Sequence, residues 1–153
     1  MIYILVALKC EAQAFIEKFK LDSTTKQNEN LSVVISGIGN ENMYKTATNI
    51  VSKMDKSDMI LNVGICGANK NYKIGQLLDE KDINLTSVDH EVDYVKYEAV
   101  DMESSGFKNA TKDIKNKYIF KVVSDHFEPE SVTKDLAKKL IYTQIDEIME
   151  KIS

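Results

Sequence analysis

The stretch DMILNV at residues 58–63 predicts the centre of the fold. It is a short, mostly apolar run that follows polar residues and ends in Gly64-Ile65-Cys66-Gly67. Strands that are apolar on both faces are typical of parallel sheets covered by helices on both sides. The sequence therefore predicts a buried strand with a glycine-containing segment at its carboxyl end.

Similar apolar runs lie on both sides of this strand, and segments with helical spacing separate them. This alternation predicts a three-layer α/β/α domain with a central mixed, mostly parallel sheet. Asn40 or Asn42 is expected to cap the second helix. The main predicted strands are Ile2–Leu8, Leu31–Ser36 and Lys117–Val123, with shorter ones at Ile74–Leu78 and Asp82–Val88. The predicted helices are Glu11–Phe19, the segment after Asn40, Met102–Ile114, and a last amphipathic helix with Val132, Leu136, Leu140, Ile141, Ile145, Ile148 and Ile152 on one face.

Composition limits the class of protein. The chain has 153 residues with 43% hydrophobic and 29% charged residues, which predicts one soluble globular domain over residues 1–153. A net charge of -4 disfavours nucleic acid as a partner, because phosphate binding needs a basic surface. Cys10 and Cys66 have neither disulfide-scaffold nor zinc-site spacing, so we expect no metal and no cofactor. The apolar N-terminus is too short for a membrane span and lacks a basic leader, so a cytoplasmic protein is expected.

Polar residues and glycines follow several of the predicted strands. Ligands of parallel α/β sheets bind at the carboxyl ends of the strands, so these positions are candidates for a site. Glu11 follows the first strand, Gly37-Ile38-Gly39 the second, and Gly64-Ile65-Cys66-Gly67 the third. Ser124-Asp125 follows the last strand, and Asp101-Met102-Glu103 opens the helix before it.

Each candidate also has a purely structural explanation. Glu11 would favour a helix dipole, Asp101 would cap a helix, and Asp125 would stabilise a turn. The glycines also suit ordinary tight turns. The histidines, His90 and His126, are more typical of a surface than of a metal site, and the two cysteines are typical of small buried side chains.

Six segments carry motifs of one known family, in that family's order: Ala7-Leu8-Lys9-Cys10-Glu11, Ser36-Gly37-Ile38-Gly39-Asn40, Asn62-Val63-Gly64-Ile65-Cys66-Gly67, Ile74-Gly75-Gln76-Leu77, Val100-Asp101-Met102-Glu103-Ser104 and Val123-Ser124-Asp125. Together they resemble the nucleoside phosphorylase/nucleosidase superfamily, which includes 5′-methylthioadenosine/S-adenosylhomocysteine nucleosidase and the purine nucleoside phosphorylases. The resemblance covers most of the chain, and its Asp-Met-Glu and Ser-Asp segments are the most specific.

The resemblance implies a role for several residues. Glu11 matches the acid that handles the attacking water, and Met102 and Glu103 match the pair that holds the ribose. Asp125 matches the acid that helps to protonate the purine, and Ser124 supports it. Gly67 and Cys66, in the glycine-containing segment, are further substrate-binding candidates.

The chain departs from the family pattern in two places. It is much shorter than typical members, with the gap expected between Asp93 and Ala99, where the family has strands, much of the purine-facing wall and dimer contacts. Lys121 stands where the nucleosidases have Arg, and it keeps the charge without the planar fork. The chain has no Arg at all, which favours hydrolysis over phosphorolysis, because the family's phosphorylases hold phosphate with arginines.

The resemblance implies hydrolysis of the N-glycosidic bond of a methylthioadenosine- or S-adenosylhomocysteine-like nucleoside. A nucleoside-binding or regulatory protein without catalysis, a purine nucleoside phosphorylase and an inactive structural remnant are the alternatives. A small-molecule nucleoside is the expected partner, and a homodimer would rebuild the missing wall across its interface.

Overall fold

The structure is a computed structural model that describes residues 1–91 and 96–153. Strands and helices alternate along most of the chain. The strands are β1 (Ile2–Val6), β2 (Leu31–Ile35), β3 (Met59–Ala68), β4 (Leu77–Asp79), β5 (Leu85–Ser87), β6 (Ala99–Asp101) and β7 (Lys117–Asp125). The helices are α1 (Lys9–Phe19), α2 (Asn40–Val51), α3 (Ser104–Ala110) and α4 (Lys134–Ile152).

All seven strands belong to one mixed sheet. Its centre is parallel: β2 pairs with β1, β1 with β3 and β3 with β7. The short strands add the antiparallel pairs β3–β6 and β4–β7, and β5 extends β6 in parallel. The predicted mixed, mostly parallel sheet is therefore confirmed.

Helices cover both faces of this sheet. Helices α1 and α4 pack on one face, where Phe15, Phe120 and Ile145 are fully buried in one apolar cluster. Helices α2 and α3 pack on the other face, where Met43 and Phe107 are fully buried against β1 and β3. This arrangement confirms the three predicted layers and brings the strand ends to one edge between them.

A glycine sets the distance between α2 and α3. A Cβ on Gly106 would lie 2.1 Å from the backbone oxygen of Asn40, far inside contact distance. Because α2 and α3 lie this close together, the Asn40 side chain accepts hydrogen bonds from Gly106 N at 2.9 Å and from Ser87 Oγ at 3.0 Å. Gly106 therefore belongs in this helix because of packing, although glycine lowers helix propensity.

Two strands run further than the sequence predicted. The segment Gly64-Ile65-Cys66-Gly67 was predicted to follow the third strand, and Ser124-Asp125 was predicted to follow the last strand. Both lie within strands, because β3 and β7 stay paired as far as Gly67 and Asp125, with an irregularity between Cys66 and Gly67. The irregularity re-aims the backbone near the strand ends, as β-bulges do beside functional sites.

Several predicted boundaries were wrong. Helix α3 covers only 104–110, since the chain turns after Thr111, and the two middle strands, β4 and β5, have three residues each. Gly39, with φ 104°, precedes α2 at the capping position predicted for Asn40 or Asn42. The last helix begins after Val132, because Thr133 Oγ1 accepts from Leu136 N at 3.1 Å and caps it. The expected gap between Asp93 and Ala99 lies partly outside the described residues, at 93–95.

Within the described residues, none of the helices has the length and apolar character needed to span a membrane.

Candidate active site

A cavity of about 250 Å³ opens at the carboxyl-end edge of β1, β3 and β7. It lies where ligands of α/β sheets bind. The three acids singled out from the sequence, Glu11, Glu103 and Asp125, all line it. The predicted substrate-binding residues also line it, namely Cys66, Gly67, Met102 and Ser124. The structure thus places these seven residues at one cavity, whereas Gly37, Gly39 and Gly64 of the candidate glycine segments do not line it.

Backbone N–H groups hold Glu11 in place. Its Oε1 accepts from Ala7 N at 3.1 Å and Leu8 N at 2.9 Å, and its Oε2 accepts from Ile65 N at 3.0 Å. The side chain is 2% exposed. Burial raises the pKa of Glu11 to about 7, although nearby Lys121 and the N–H groups of Ile65 and Leu8 favour the charged form. A carboxyl group with this pKa can exchange a proton near neutral pH.

Gly64 makes room for two charged groups beneath the cavity. A Cβ at this position would lie 3.1 Å from Glu11 Oε2 and 3.3 Å from Lys121 Nζ. Both contacts are tighter than an added methyl group normally accepts. The glycine in β3 therefore lets an acid from α1 and a lysine from β7 approach the same point.

Lys121 is a fully buried cation in the sheet. Its Nζ lies 2.9 Å from Asp101 Oδ2, and the two side chains are 1% and 0% exposed. No described group forms a well-aligned hydrogen bond with this ammonium, so the contact is an ion pair. Burial alone would lower the pKa of Lys121, but the carboxylates of Asp101, Glu103 and Glu11 outweigh burial and raise it. The lysine is therefore charged and offsets part of the negative charge around it.

Asp101 has two structural roles. Its Oδ2 accepts from Ser104 N at 2.8 Å and Glu103 N at 3.3 Å, and its Oδ1 accepts from Ser104 Oγ at 2.5 Å. These bonds fix the turn before α3, as the capping explanation predicted. The ion pair with Lys121 ties that turn to β7, so Asp101 positions Met102 and Glu103 at the cavity.

Glu103 connects the turn before α3 with the glycine turn after β2. Its Oε2 accepts a hydrogen bond from Gly39 N at 2.8 Å. Burial raises the pKa of Glu103, while Lys121 opposes the rise. Its carboxylate can accept hydrogen bonds from a ligand's hydroxyl groups, which is what a ribose presents.

Asp125 lies at the end of β7 with both carboxyl oxygens engaged. Ser124 Oγ donates to its Oδ1 at 2.6 Å, and Glu128 N donates to its Oδ2 at 2.9 Å. Ser124 Oγ also lies 3.2 Å from the Cys66 backbone oxygen, which ties the pair to β3. A Cβ on Gly67 would lie 3.6 Å from Asp125 Oδ2 and 3.5 Å from Phe127 Cδ1, so the Gly67 backbone packs closely beside the acid.

Neither cysteine has the lowered pKa that is typical of a nucleophilic thiol. Burial raises the pKa of Cys66 to about 12, and it also raises the pKa of Cys10, where Glu11 adds to the effect. Cys66 is buried as predicted, whereas Cys10 is half-buried. His90 is exposed, and His126 Nδ1 lies 3.1 Å from the Ala68 backbone oxygen. No group of three metal-ligating side chains occurs in the part of the chain that the structure describes.

Sequence reasoning missed several residues that line the cavity. Pro129, Thr133 and Lys134 come from the loop after β7, the residue that caps α4 and the first turn of α4. Their sequence context carries no signal, because loops and helix ends with such residues are ordinary on any surface. The tertiary fold alone brings them to the acids.

The sheet topology, together with the acids at its edge, defines the three-layer fold of the nucleoside phosphorylases and nucleosidases. Among solved structures, those similar to this chain are in particular 5′-methylthioadenosine/S-adenosylhomocysteine nucleosidases. A putative one from Francisella philomiragia has a TM-score of 0.76 and 16% identity, over 97% of this chain and 96% of that one. The expected fold resemblance is thereby confirmed.

Two Helicobacter pylori structures are similar to the same degree. A nucleosidase with butyl-thio-DADMe-Immucillin-A has a TM-score of 0.76 and 16% identity, over 99% of this chain and 96% of that one. Futalosine hydrolase has a TM-score of 0.76 and 17% identity over the same shares. At such identities the similarity establishes the fold. No protein-family model and no curated protein matches the chain.

Proposed function

We propose that this protein hydrolyses the N-glycosidic bond of a purine nucleoside of the methylthioadenosine or S-adenosylhomocysteine type. The products would be the free base and the ribose part. One observation carries the proposal: Glu11, Glu103 and Asp125 come from distant parts of the chain and line one cavity. Had they lain on separate surfaces, only the fold would have remained.

The charge of the site suits the sugar half of this reaction. Breaking an N-glycosidic bond builds positive charge on the ribose ring. Glu11, Asp101 and Glu103 supply three carboxyl groups around the single buried ammonium of Lys121. When these acids are ionised, the excess negative charge stabilises the transition state, because it is fixed in place and shielded from water.

Two acids would divide the work at the sugar. Glu103 would accept hydrogen bonds from the ribose hydroxyls, with Met102 packing beside them. Glu11 would take a proton from the water that attacks C1′, and its pKa of about 7 suits a general base near neutral pH. The Glu11 carboxyl is held by three backbone N–H groups, so it needs no reorganisation when the water binds.

Asp125 would serve the base half of the reaction. The departing purine gains electron density, and a proton delivered to N7 makes it a better leaving group. Ser124 orients the Asp125 carboxyl from one side, and Glu128 N orients it from the other. Cys66 and Gly67, which line the cavity beside Asp125, would face the base.

Water is the proposed nucleophile rather than phosphate. All 20 basic residues of the chain are Lys, and Arg is the side chain best suited to bidentate phosphate binding. The one buried cation beside the acids already pairs with Asp101. A ligand that carries two negative charges would also meet several carboxylates. These features favour hydrolysis over the phosphorylase alternative.

Purified protein and a nucleoside panel test the proposal. We expect adenine release from methylthioadenosine or S-adenosylhomocysteine, and Glu103→Gln and Glu11→Gln should lower the rate at least about 100-fold. Glu17→Gln, an exposed substitution on the same helix as Glu11, is the matched control. Release no greater than that of Glu103→Gln across the panel would end the hydrolase proposal. A ligand-induced rise in melting temperature without turnover would favour the nucleoside-binding alternative.

We further propose a cytoplasmic homodimer that takes a small-molecule nucleoside and not nucleic acid. Two free cysteines suit a reducing compartment, and the net charge of -4 disfavours a polyanion. Ile38 lines the cavity and is 55% exposed, so a second copy could cover it. A strictly monomeric species in light scattering would contradict the dimer.

A further inference from the structure

One side of the cavity has no role in the proposed reaction. It consists of the first turn of α4 with the residues just before it, and of the start of α1. Here, the name "α4 wall" refers to these residues: Leu8, Cys10, Val132, Thr133, Lys134 and Ala137. Helices α1 and α4 share one face of the sheet, whereas Glu103 precedes α3, which packs on the opposite face.

The positions of Glu103 and Asp125 indicate which part of a nucleoside would contact the α4 wall. If the ribose hydroxyls lie at Glu103 and the purine lies at Asp125, two edges of the molecule are accounted for. The remaining branch of the ribose is the substituent on C5′. Of the described lining that has no role in the proposed reaction, the α4 wall is the part that carries a cation, and we assign it to this substituent.

The α4 wall combines apolar surface with one positive charge. Leu8, Val132 and Ala137 offer apolar contact, and Lys134 is exposed at the rim. Among the described lining residues Lys134 is the only cation, while the acids are Glu11, Glu91, Asp101, Glu103 and Asp125. Lys134 is therefore the single positive charge among five acids in the described lining of this cavity.

Lys134 is available to a ligand. It forms no salt bridge with any described residue, whereas Lys138, one turn further along α4, pairs with Glu17 at 2.6 Å. The Lys134 charge reaches into the cavity far enough to lower the pKa of Cys10, against the larger effect of burial. The N-terminus of this 19-residue helix adds partial positive charge on the same side.

We propose that Lys134 is a specificity-determining residue and that the preferred substrates carry an anionic group, of the carboxylate class, at the end of an apolar 5′ substituent. This inference rests on the proposed nucleosidase function and adds the chemistry of the 5′ end. The apolar part of the substituent packs on Leu8 and Val132. The terminal anion pairs with the Lys134 ammonium, as a carboxylate does with lysine at a partly solvated rim.

The test uses two adenosine thioethers of equal length. One has a 5′-(2-carboxyethylthio) group, and its neutral partner has a 5′-(3-hydroxypropylthio) group. Adenine release gives kcat/KM for each at low salt, with wild type, Lys134→Gln and the control Lys138→Gln. The readout is the ratio of the two kcat/KM values, so a general loss of activity in a variant cancels.

We expect wild type and Lys138→Gln to prefer the carboxylate about fivefold, as a partly exposed ion pair would give. In Lys134→Gln the ratio should fall to about one, mainly through KM, and Lys134→Glu should invert it. Salt at about 1 M should remove the wild-type preference, because screening weakens exposed pairs. An equal ratio in wild type and Lys134→Gln would overturn the inference.

The experiment distinguishes a failure of the proposed nucleosidase function from a failure of the proposed role of Lys134. If no nucleoside is cleaved, the hydrolase proposal fails, but the melting temperature still reports binding of the two thioethers. A larger rise with the carboxylate than with the alcohol, lost in Lys134→Gln, would support the role of Lys134. Equal rises in both proteins would overturn it.

Discussion

Raising the pH from about 5 to about 8.5 is expected to weaken the fold through Glu11. Its pKa rises from the usual 4.5 to about 7 in the folded protein, because the carboxyl group is buried. Folded protein therefore binds more protons than unfolded protein between these values, and the free energy of unfolding falls as the pH rises through this window. Each pKa unit is worth about 1.4 kcal/mol, so the full effect of Glu11 is about 3 kcal/mol.

Urea unfolding of wild type and Glu11→Gln at a series of pH values measures this effect. The glutamine does not titrate, so the difference between the two proteins isolates Glu11 from other groups, such as Glu103. Wild type should lose most of the 3 kcal/mol relative to the variant between about pH 5 and pH 8.5. A difference that stays constant across this range would refute the raised pKa of Glu11.

The same group predicts the pH dependence of catalysis. If ionised Glu11 takes the proton from water, kcat/KM for adenine release should rise through about pH 7. Activity and stability would then change in opposite directions over one pH range. If kcat/KM instead rises at a pH well below 6, Glu11 is not the group that takes the proton.

Three further substitutions test the site and its supports. Lys121→Met should destabilise the protein by about 3–5 kcal/mol, because it leaves the Asp101 carboxylate buried without its cation. Urea unfolding measures this loss, and an unchanged unfolding midpoint would contradict the ion pair. Gly106→Ala should lower the free energy of unfolding by about 2 kcal/mol or more, since the added Cβ would overlap the Asn40 backbone oxygen, and a stabilised protein would contradict that close approach. Asp125→Asn should reduce adenine release at least about 100-fold, while nucleoside ligands should still raise the melting temperature. A fully active variant would show that Asp125 takes no part in the mechanism.

Much of the fold could be predicted because its elements have strong local patterns. The apolar strands Ile2–Val6 and Leu31–Ile35 and the face of α4 with Ile141, Ile145 and Ile148 are evident without neighbours. The short elements were predicted poorly. Strands of three residues, such as β6, carry almost no pattern, and their existence depends on pairing with β3 and β5.

The candidate site was predicted from the order of the family's motifs and from their positions beside strands, without knowledge of the packing. Glu11, Glu103 and Asp125 were expected to meet because each follows or precedes a strand of the same sheet. The partners that shape them were not predictable, since Gly39 N holds Glu103 and Glu128 N holds Asp125 through contacts that only the folded backbone creates. The buried pairing of Lys121 with Asp101 was equally hidden, because the two side chains lie in different strands.

The sequence by itself determined the alternation of strands and helices, the three acids and the absence of arginine. Hydrophobic periodicity and residue identity are local properties, and they survive without coordinates. Tertiary structure decided what surrounds the acids, namely the lysine beneath Glu11 and the basic rim at Lys134. Those features depend on which side chains from distant parts of the sequence lie within a few ångströms of one another. Only the packing of the helices on the sheet determines these distances.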